Sequence, residues 1–354
     1  MSRLAGIDRN RVEAELDAAA FCGVVHVVGD ADEAPLTIAR GLADRANAIP
    51  NTADTRFAAA SISKLVTGAV VARLVDAGAV SWGDRYVDLV SAEWHPPALH
   101  PAVTLGHLLG HTSGFGDYFD EEDADADYGA IWTGIPPGTI RGPKDFWPLL
   151  RDLPRKDPPG ARAVYNNGAF ILVGIALEEC LGRPFPEIAS EHVFVPLGMT
   201  RSGFWALDGV VAHLAIGYEP PTGTFGWRTN VHAVPVMGGP DGGVQVTVDD
   251  LVRLIDGVSG RGAGGAFLTS ATRAELLGPQ AVDHEGDFRY GRGVIHVGEG
   301  ASARFGHTGE DPGASARIWT YPATGERVAV VSNVTEGAGA ITRKIDALLA
   351  EAGA

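Results

Sequence analysis

The stretch 58-AAASISKLVTGAVV-71 places a serine, Ser61, one helical turn ahead of a lysine, Lys64, at the front of a nearly unbroken apolar run. Two readings of the pair compete. Serine is a preferred helix N-cap, so Ser61 opens a helix and Lys64 is a solvated neighbour. Alternatively, residues three apart share one helix face, and the Lys64 amine reaches the Ser61 hydroxyl as its base. A serine hydroxyl is a weak nucleophile until a base takes its proton. Lysine serves as that base only where its neutral form is favoured. Burial favours that form, and so does the positive end of a nearby helix dipole. The apolar residues Ile62, Leu65, Val66, Ala69, Val70, Val71, Leu74 and Val75 cover most of the circumference of a helix predicted from Ser61 to Ala77. Such a helix is buried on nearly all sides.

The rest of the chain bounds the function. Its 354 residues carry a formal charge of −16, which argues against a nucleic-acid partner, since phosphate contacts need clustered Lys and Arg. No stretch approaches the ~20 apolar residues of a membrane span. The first thirty residues lack the apolar core of a secretion signal. Asp8, Arg9, Arg11, Glu13, Glu15 and Asp17 interrupt them and fit an amphipathic helix from Arg3 to Ala20. A cytoplasmic location is therefore expected, with Cys22 and Cys180 as reduced, buried thiols.

Strand patterns occur at GVVHVVGD (23–30), APLTIARGLAD (34–44) and TRFAAA (55–60), and return after about residue 240 in GGVQVTV, RYGRGVIHVG, SARIWTYP and ERVAVVSNV. A closing helix, AITRKIDALLAEAG, follows. The middle of the chain is richer in helical patterns, among them TLGHLLGH and GAFILVGIALEECLG, separated by long Pro- and Asp-rich loops. The expected architecture is α/β (α+β) in a single catalytic domain of residues 1–354. One lobe takes about 1–60 and 240–354, an antiparallel sheet flanked by terminal helices; a mainly helical lobe takes about 61–239.

Two further clusters bear on Ser61. In AVYNNGAFILVG, Tyr165 and Asn167 stand just before an apolar helix, although Asn-Asn-Gly alone is a common turn. In ARFGHTGEDPG, His307, Thr308 and Gly309 fall at the end of an expected strand, where backbone N–H groups could face an oxyanion. Together, Ser61-Ile-Ser-Lys64, Tyr165-Asn-Asn167 and His307-Thr308-Gly309 stand in the order S-x-x-K, Y-x-N, K/H-T-G, separated by roughly 100 and then 140 residues. The chain thereby resembles the serine β-lactamase and penicillin-binding protein superfamily, in the branch of class C β-lactamases, DD-peptidases and related esterases. LLGHTSGF, PLGMTRSGF and GPDGGVQVTVDDLVRL resemble that branch as well.

The resemblance implies a β-lactamase/transpeptidase-like fold and roles for individual residues. Ser61 would attack a carbonyl and form an acyl-enzyme, Lys64 would help take its proton, and Tyr165 would relay protons to the leaving group and then activate the deacylating water. Asn167 would bond the substrate amide or hold Lys64. The oxyanion hole would use the N–H groups of Ser61 and Glu310. A neutral Lys64 and a phenolate-like Tyr165 remain alternative descriptions of one proton system. His307 stands where β-lactamases have lysine, so a permanent cation for a substrate carboxylate is missing. Arg289 and Arg292 are the candidates to replace it. The expected activity is hydrolysis of an ester, amide or D-peptide-like small substrate, without cofactor. An acyltransferase using the same acyl-enzyme, a weak β-lactamase and a non-catalytic penicillin-binding homologue are the alternatives.

Other features carry less. His107 and His111 lie four apart but lack the companions of a metal site. DEEDADADYG (120–129) fails the calcium-loop pattern and reads as a solvated acidic loop that borders the site mouth and disfavours anions. GRGAGG (260–265) follows a helix and not a strand, so a loop is expected there. Trp132, Trp147, Trp205, Phe225 and Trp227 are candidates for an apolar pocket lining.

Overall fold

Successive residues of a strand face opposite ways, and in the computed structural model the sheet is buried on both faces. The structure describes residues 3–29, 33–123, 125–283 and 288–353. Eight strands form one antiparallel sheet: β1 (Gly23–Val28), β2 (Leu36–Arg40), β3 (Ala281–Val282), β4 (Arg289–Tyr290), β5 (Ile295–Val297), β6 (Arg304–Asp311), β7 (Ala314–Thr320) and β8 (Arg327–Ser332). Their order is β2-β1-β8-β7-β6-β5-β4-β3, so strands from the two ends of the chain pair at β1 and β8. Val24, Ala316, Ile318, Ala329 and Val331 point into the larger core shared with the central helices. Val25, Val27, Trp319, Val328 and Val330 point the other way, into a second core. That second core is closed by α1 (Arg9–Ala18) through Val12 and Leu16, and by the last helix through Ile341, Ile345 and Leu349.

The helices that matter to the site are α2 (Ser63–Asp76), α3 (Asn167–Leu181) and α4 (Val248–Ser259). Every α2 residue from Ser63 to Ala72 is buried, as its all-round apolar pattern requires. The C-terminal helix spans Gly337–Ala352. None of the helices, among the described residues, is long and apolar enough to cross a membrane.

Several expectations change in detail. The helix expected over Arg3–Ala20 is split, because the Asp8 side chain accepts from Asn10 N and starts α1 at Arg9. The α-helix expected from Ser61 begins at Ser63; Ser61 sits in a preceding 3₁₀ turn, Ala60–Ile62, and its side chain caps neither element. The His307-Thr308-Gly309 triplet lies in the middle of β6 and not at a strand end. Cys180 is exposed, whereas Cys22 is buried and free. GRGAGG leads from the end of α4 into a 3₁₀ turn.

Candidate active site

Lys64 is fully buried, and its Nζ lies 3.0 Å from Ser61 Oγ, 2.7 Å from Asn167 Oδ1 and 2.7 Å from the main-chain oxygen of Asp241. The two short contacts go to oxygens that can only accept. A neutral amine in this place, with two N–H groups and one lone pair, would turn the lone pair to the Ser61 hydroxyl. Burial holds the Lys64 amine below the ordinary lysine range, against the pull of the Asp241, Glu121 and Asp117 carboxylates.

The segment carrying Asp241 is pinned to α2 and α3 from both sides. Ser63 Oγ accepts from Val244 N at 2.9 Å, and Thr67 Oγ1 donates to the Pro240 oxygen at 2.6 Å. A Cβ added at Gly174 of α3 would fall 2.2 Å from Pro240 Cγ, so only glycine lets that helix approach so closely.

Asn167 is the first residue of α3. Its side-chain nitrogen donates to Asp117 Oδ2 at 3.0 Å, and its main-chain N–H reaches the same oxygen at 2.6 Å. Gly168 N bonds the other Asp117 oxygen at 2.8 Å. Both ends of the Asn167 amide are therefore engaged, the oxygen by Lys64 and one N–H by Asp117. Asp117 closes the N-terminus of α3, where a carboxylate meets the helix's free N–H groups. Burial nevertheless pushes it up to about 7.

Tyr165 lies beside Ser61. Its ring lies 4.9 Å from Lys64 Nζ and stacks on His111 at 4.6 Å between centroids. Burial holds the phenol well above its ordinary value, so Tyr165 is protonated. His111 is set by Asn166 N, which donates to His111 Nδ1 at 3.0 Å. It is a packing partner of the tyrosine.

His307, Gly309 and Asp311 share the face of β6 that meets the Ser61 turn. A Cβ added at Gly309 would lie 2.2 Å from the Ala59 oxygen and 3.0 Å from Ser61 N. This close approach brings the main chain of β6 beside the Ser61 N–H. His307 is fully buried; its Nδ1 lies 2.6 Å from the Thr308 oxygen and must carry the hydrogen, while Nε2 has no hydrogen-bond partner. Burial, reinforced by Lys64, pushes the imidazole down to about 3, so it is neutral.

A cavity of about 840 Å³, its open mouth included, contains Ser61, Asn167 and Glu310 in its lining. Its apolar wall comes from Phe119, Phe146, Leu207, Val234 and Met237. None of the five aromatic residues expected to line it does so; Trp132 is buried in the main core, and Phe225 and Trp227 are exposed. Arg289 and Arg292 are also absent from it: Arg292 pairs with Glu275 at 2.9 Å, and Arg289 donates to the Gly298 oxygen at 2.9 Å. Arg289 lies on β4, and Arg292 in the turn after it, which packs on the back of α2. The acidic loop does reach the rim, through Glu121. Asp117, Asp241 and Asp311 were not singled out by sequence, although each falls in or beside a stretch that was: the acidic loop, GPDGGVQVTVDDLVRL and ARFGHTGEDPG.

A mixed fold with a central antiparallel sheet, and a Ser–Lys–Tyr constellation with a buried lysine beside one strand, define the class to which the chain is compared. Over residues 9–352 it matches the model of the Beta-lactamase family. The chain belongs to that family. A solved penicillin-binding protein from Bacillus halodurans is 35% identical and superposes with a TM-score of 0.87, covering 95% of this chain and 99% of that one. Esterase EstB of Burkholderia gladioli is 34% identical over 51% of this chain and 47% of its own. A D-aminopeptidase of Brucella anthropi is 28% identical over 84% of this chain and 53% of its own. The chain thus spans about half the length of these last two relatives.

Proposed function

We propose that this protein is a serine hydrolase that forms an acyl-enzyme at Ser61 from an ester, amide or D-peptide-like substrate and resolves it with water. The observation that carries the reading is the environment of Lys64, whose buried Nζ meets two acceptors, Asn167 Oδ1 and Asp241 O, and has Ser61 Oγ as its third contact.

Neutral Lys64 takes the Ser61 proton as Oγ attacks the carbonyl carbon. The developing oxyanion lies against the N–H groups of Ser61 and Glu310, where preorganised donors stabilise charge most effectively. Tyr165, a protonated phenol, passes its proton to the leaving oxygen or nitrogen and is reprotonated from Lys64 as the acyl bond breaks. Deacylation runs the relay backwards: water gives its proton to the Tyr165–Lys64 pair, attacks the acyl carbon, and Ser61 Oγ leaves with a proton. The protonated state of Tyr165 favours this description over a resting phenolate.

Intact-mass measurement after a fluorophosphonate tests the reading. The expected result is a single phosphonyl adduct on Ser61, absent in Ser61→Ala, together with a loss of p-nitrophenyl ester turnover of ~10⁴-fold or more in that variant. A Ser61→Ala protein that kept wild-type turnover would overturn it.

A further inference from the structure

The cavity beside Ser61 is lined, among the described residues, by four carboxylates and by no lysine, arginine or histidine. Glu310 is offset, since Arg317 lies 2.6 Å from it and Ser315 Oγ donates to it at 2.8 Å. The other three meet no cation other than Lys64. Asp241 is buried and accepts only from Tyr118 among side chains, Asp311 lies beside Tyr128, and Glu121 stands at the rim beside Asn167. Lys64 cannot serve them: its contacts are already taken by Ser61, Asn167 and a main-chain oxygen. His307 adds no cation either: it is fully buried, outside the lining, and its imidazole is neutral. The site therefore presents acceptors and negative charge on the surface that a substrate covers.

The cavity also has a direction. Tyr165 and its stacking partners His111 and Tyr290 are not part of its lining, whereas Asn167, Glu310 and Ser61 are. Tyr165 delivers the proton to the leaving group, so the cavity on the other side of Ser61 receives the acyl half.

We propose, resting on the hydrolase reading above, that the enzyme selects acyl groups carrying a protonated amine, held by Glu121, Asp241 and Asp311 within this cavity. Buried carboxylates crowd one another here: burial, and next the neighbouring Asp241, push Asp311 up to about 7. An ammonium placed among them relieves that repulsion, and a carboxylate or sulfate would add to it.

The test uses ω-aminoacyl p-nitroanilides with two to five methylenes, each against the unsubstituted n-acyl p-nitroanilide of equal length. The expected result is that at least one amine length exceeds its isostere by about tenfold or more in kcat/KM. In Glu121→Gln/Asp311→Asn that ratio falls toward one. Inhibition of p-nitrophenyl hexanoate turnover by wild-type enzyme gives a measure that needs no variant: hexylamine should compete at least about tenfold better than hexanol. Equal turnover of amine and isostere, equal inhibition by amine and alcohol, or a preference that survives in the folded double variant would each overturn the proposal. Fluorophosphonate labelling of Ser61 separates the two readings: a labelled enzyme without amine preference sinks only this inference, and an unlabelled, inactive one sinks the hydrolase reading beneath it.

Discussion

Ala60, immediately before Ser61, has φ 47°, a left-handed backbone that costs a non-glycine residue about 1 kcal/mol or more. The turn is held from outside: Gly243 N donates to the Ala60 oxygen at 3.1 Å, and Ala59 N donates to the Val244 oxygen at 2.8 Å. The strand opposite is equally tight, because the absent side chain of Gly309 is what lets β6 lie against Ser61 N. Gly309→Ala should therefore push β6 and the Ser61 N–H apart. The expected outcome is a fall in kcat of about a hundredfold, the scale of losing one oxyanion donor, with KM little changed. Steady-state kinetics on a p-nitrophenyl ester checks it; a larger effect on KM than on kcat would refute it. At this scale the grouping of Ser61, Lys64 and Tyr165 was legible, because short spacings and a known order point to it and the three lie together in the fold. The carboxylates were not: Asp117, Asp241 and Asp311 come together from segments far apart in sequence, and their meaning lies in that proximity.

Among the elements, α2 is the one on which the site depends, and two glycines set its seat. A Cβ at Gly68 would fall 2.3 Å from the Arg292 oxygen, and Gly293, with φ 79°, would place one 2.4 Å from the Lys64 oxygen. The turn between β4 and β5 thus packs directly on the back of the catalytic turn. Gly68→Ala gains helix propensity but forces backbone apart, and overpacking should win, at about 1–3 kcal/mol of destabilisation. Thermal unfolding should show a drop of at least about 2 °C. Gly134→Ala, where nothing lies within 4 Å of the added atom, serves as the control and should leave the melting temperature nearly unchanged. The long elements were readable, since α2 and α3 carry long apolar runs and β1 and β8 are rich in valine. Position within an element was harder. Ser61 fell in a 3₁₀ turn because the turn is set by contacts with residues 243–244 and 309. The His307 triplet fell mid-strand because β6 continues through Gly306 and Gly309, which pattern reading took for loop glycines.

For the whole molecule, the formal charge of −16 adds a negative field to the acidic cavity. In a cleft with apolar walls such a field is focused and raises the local concentration of cations. Salt should weaken it, since the Debye length falls from about 30 Å at 0.01 M to about 3 Å at 1 M. Under the amine-selective reading, kcat/KM for the preferred ω-aminoacyl anilide should fall severalfold across that range, and its n-acyl isostere should change by less than about twofold. The pH dependence has a definite sign. Asp311, raised to about 7 by burial and then Asp241, is charged above that pH and neutral below it. Glu310 also raises it, while Lys64 and Tyr128 act in the opposite direction. An ω-amine keeps its proton through this window, so KM for the amine substrate should fall as pH rises from 6 to 8. Asp311→Asn should flatten that dependence without creating one for the isostere. A KM that rises with pH, or salt effects of equal size on both substrates, would show that the cavity charge does not act on the substrate.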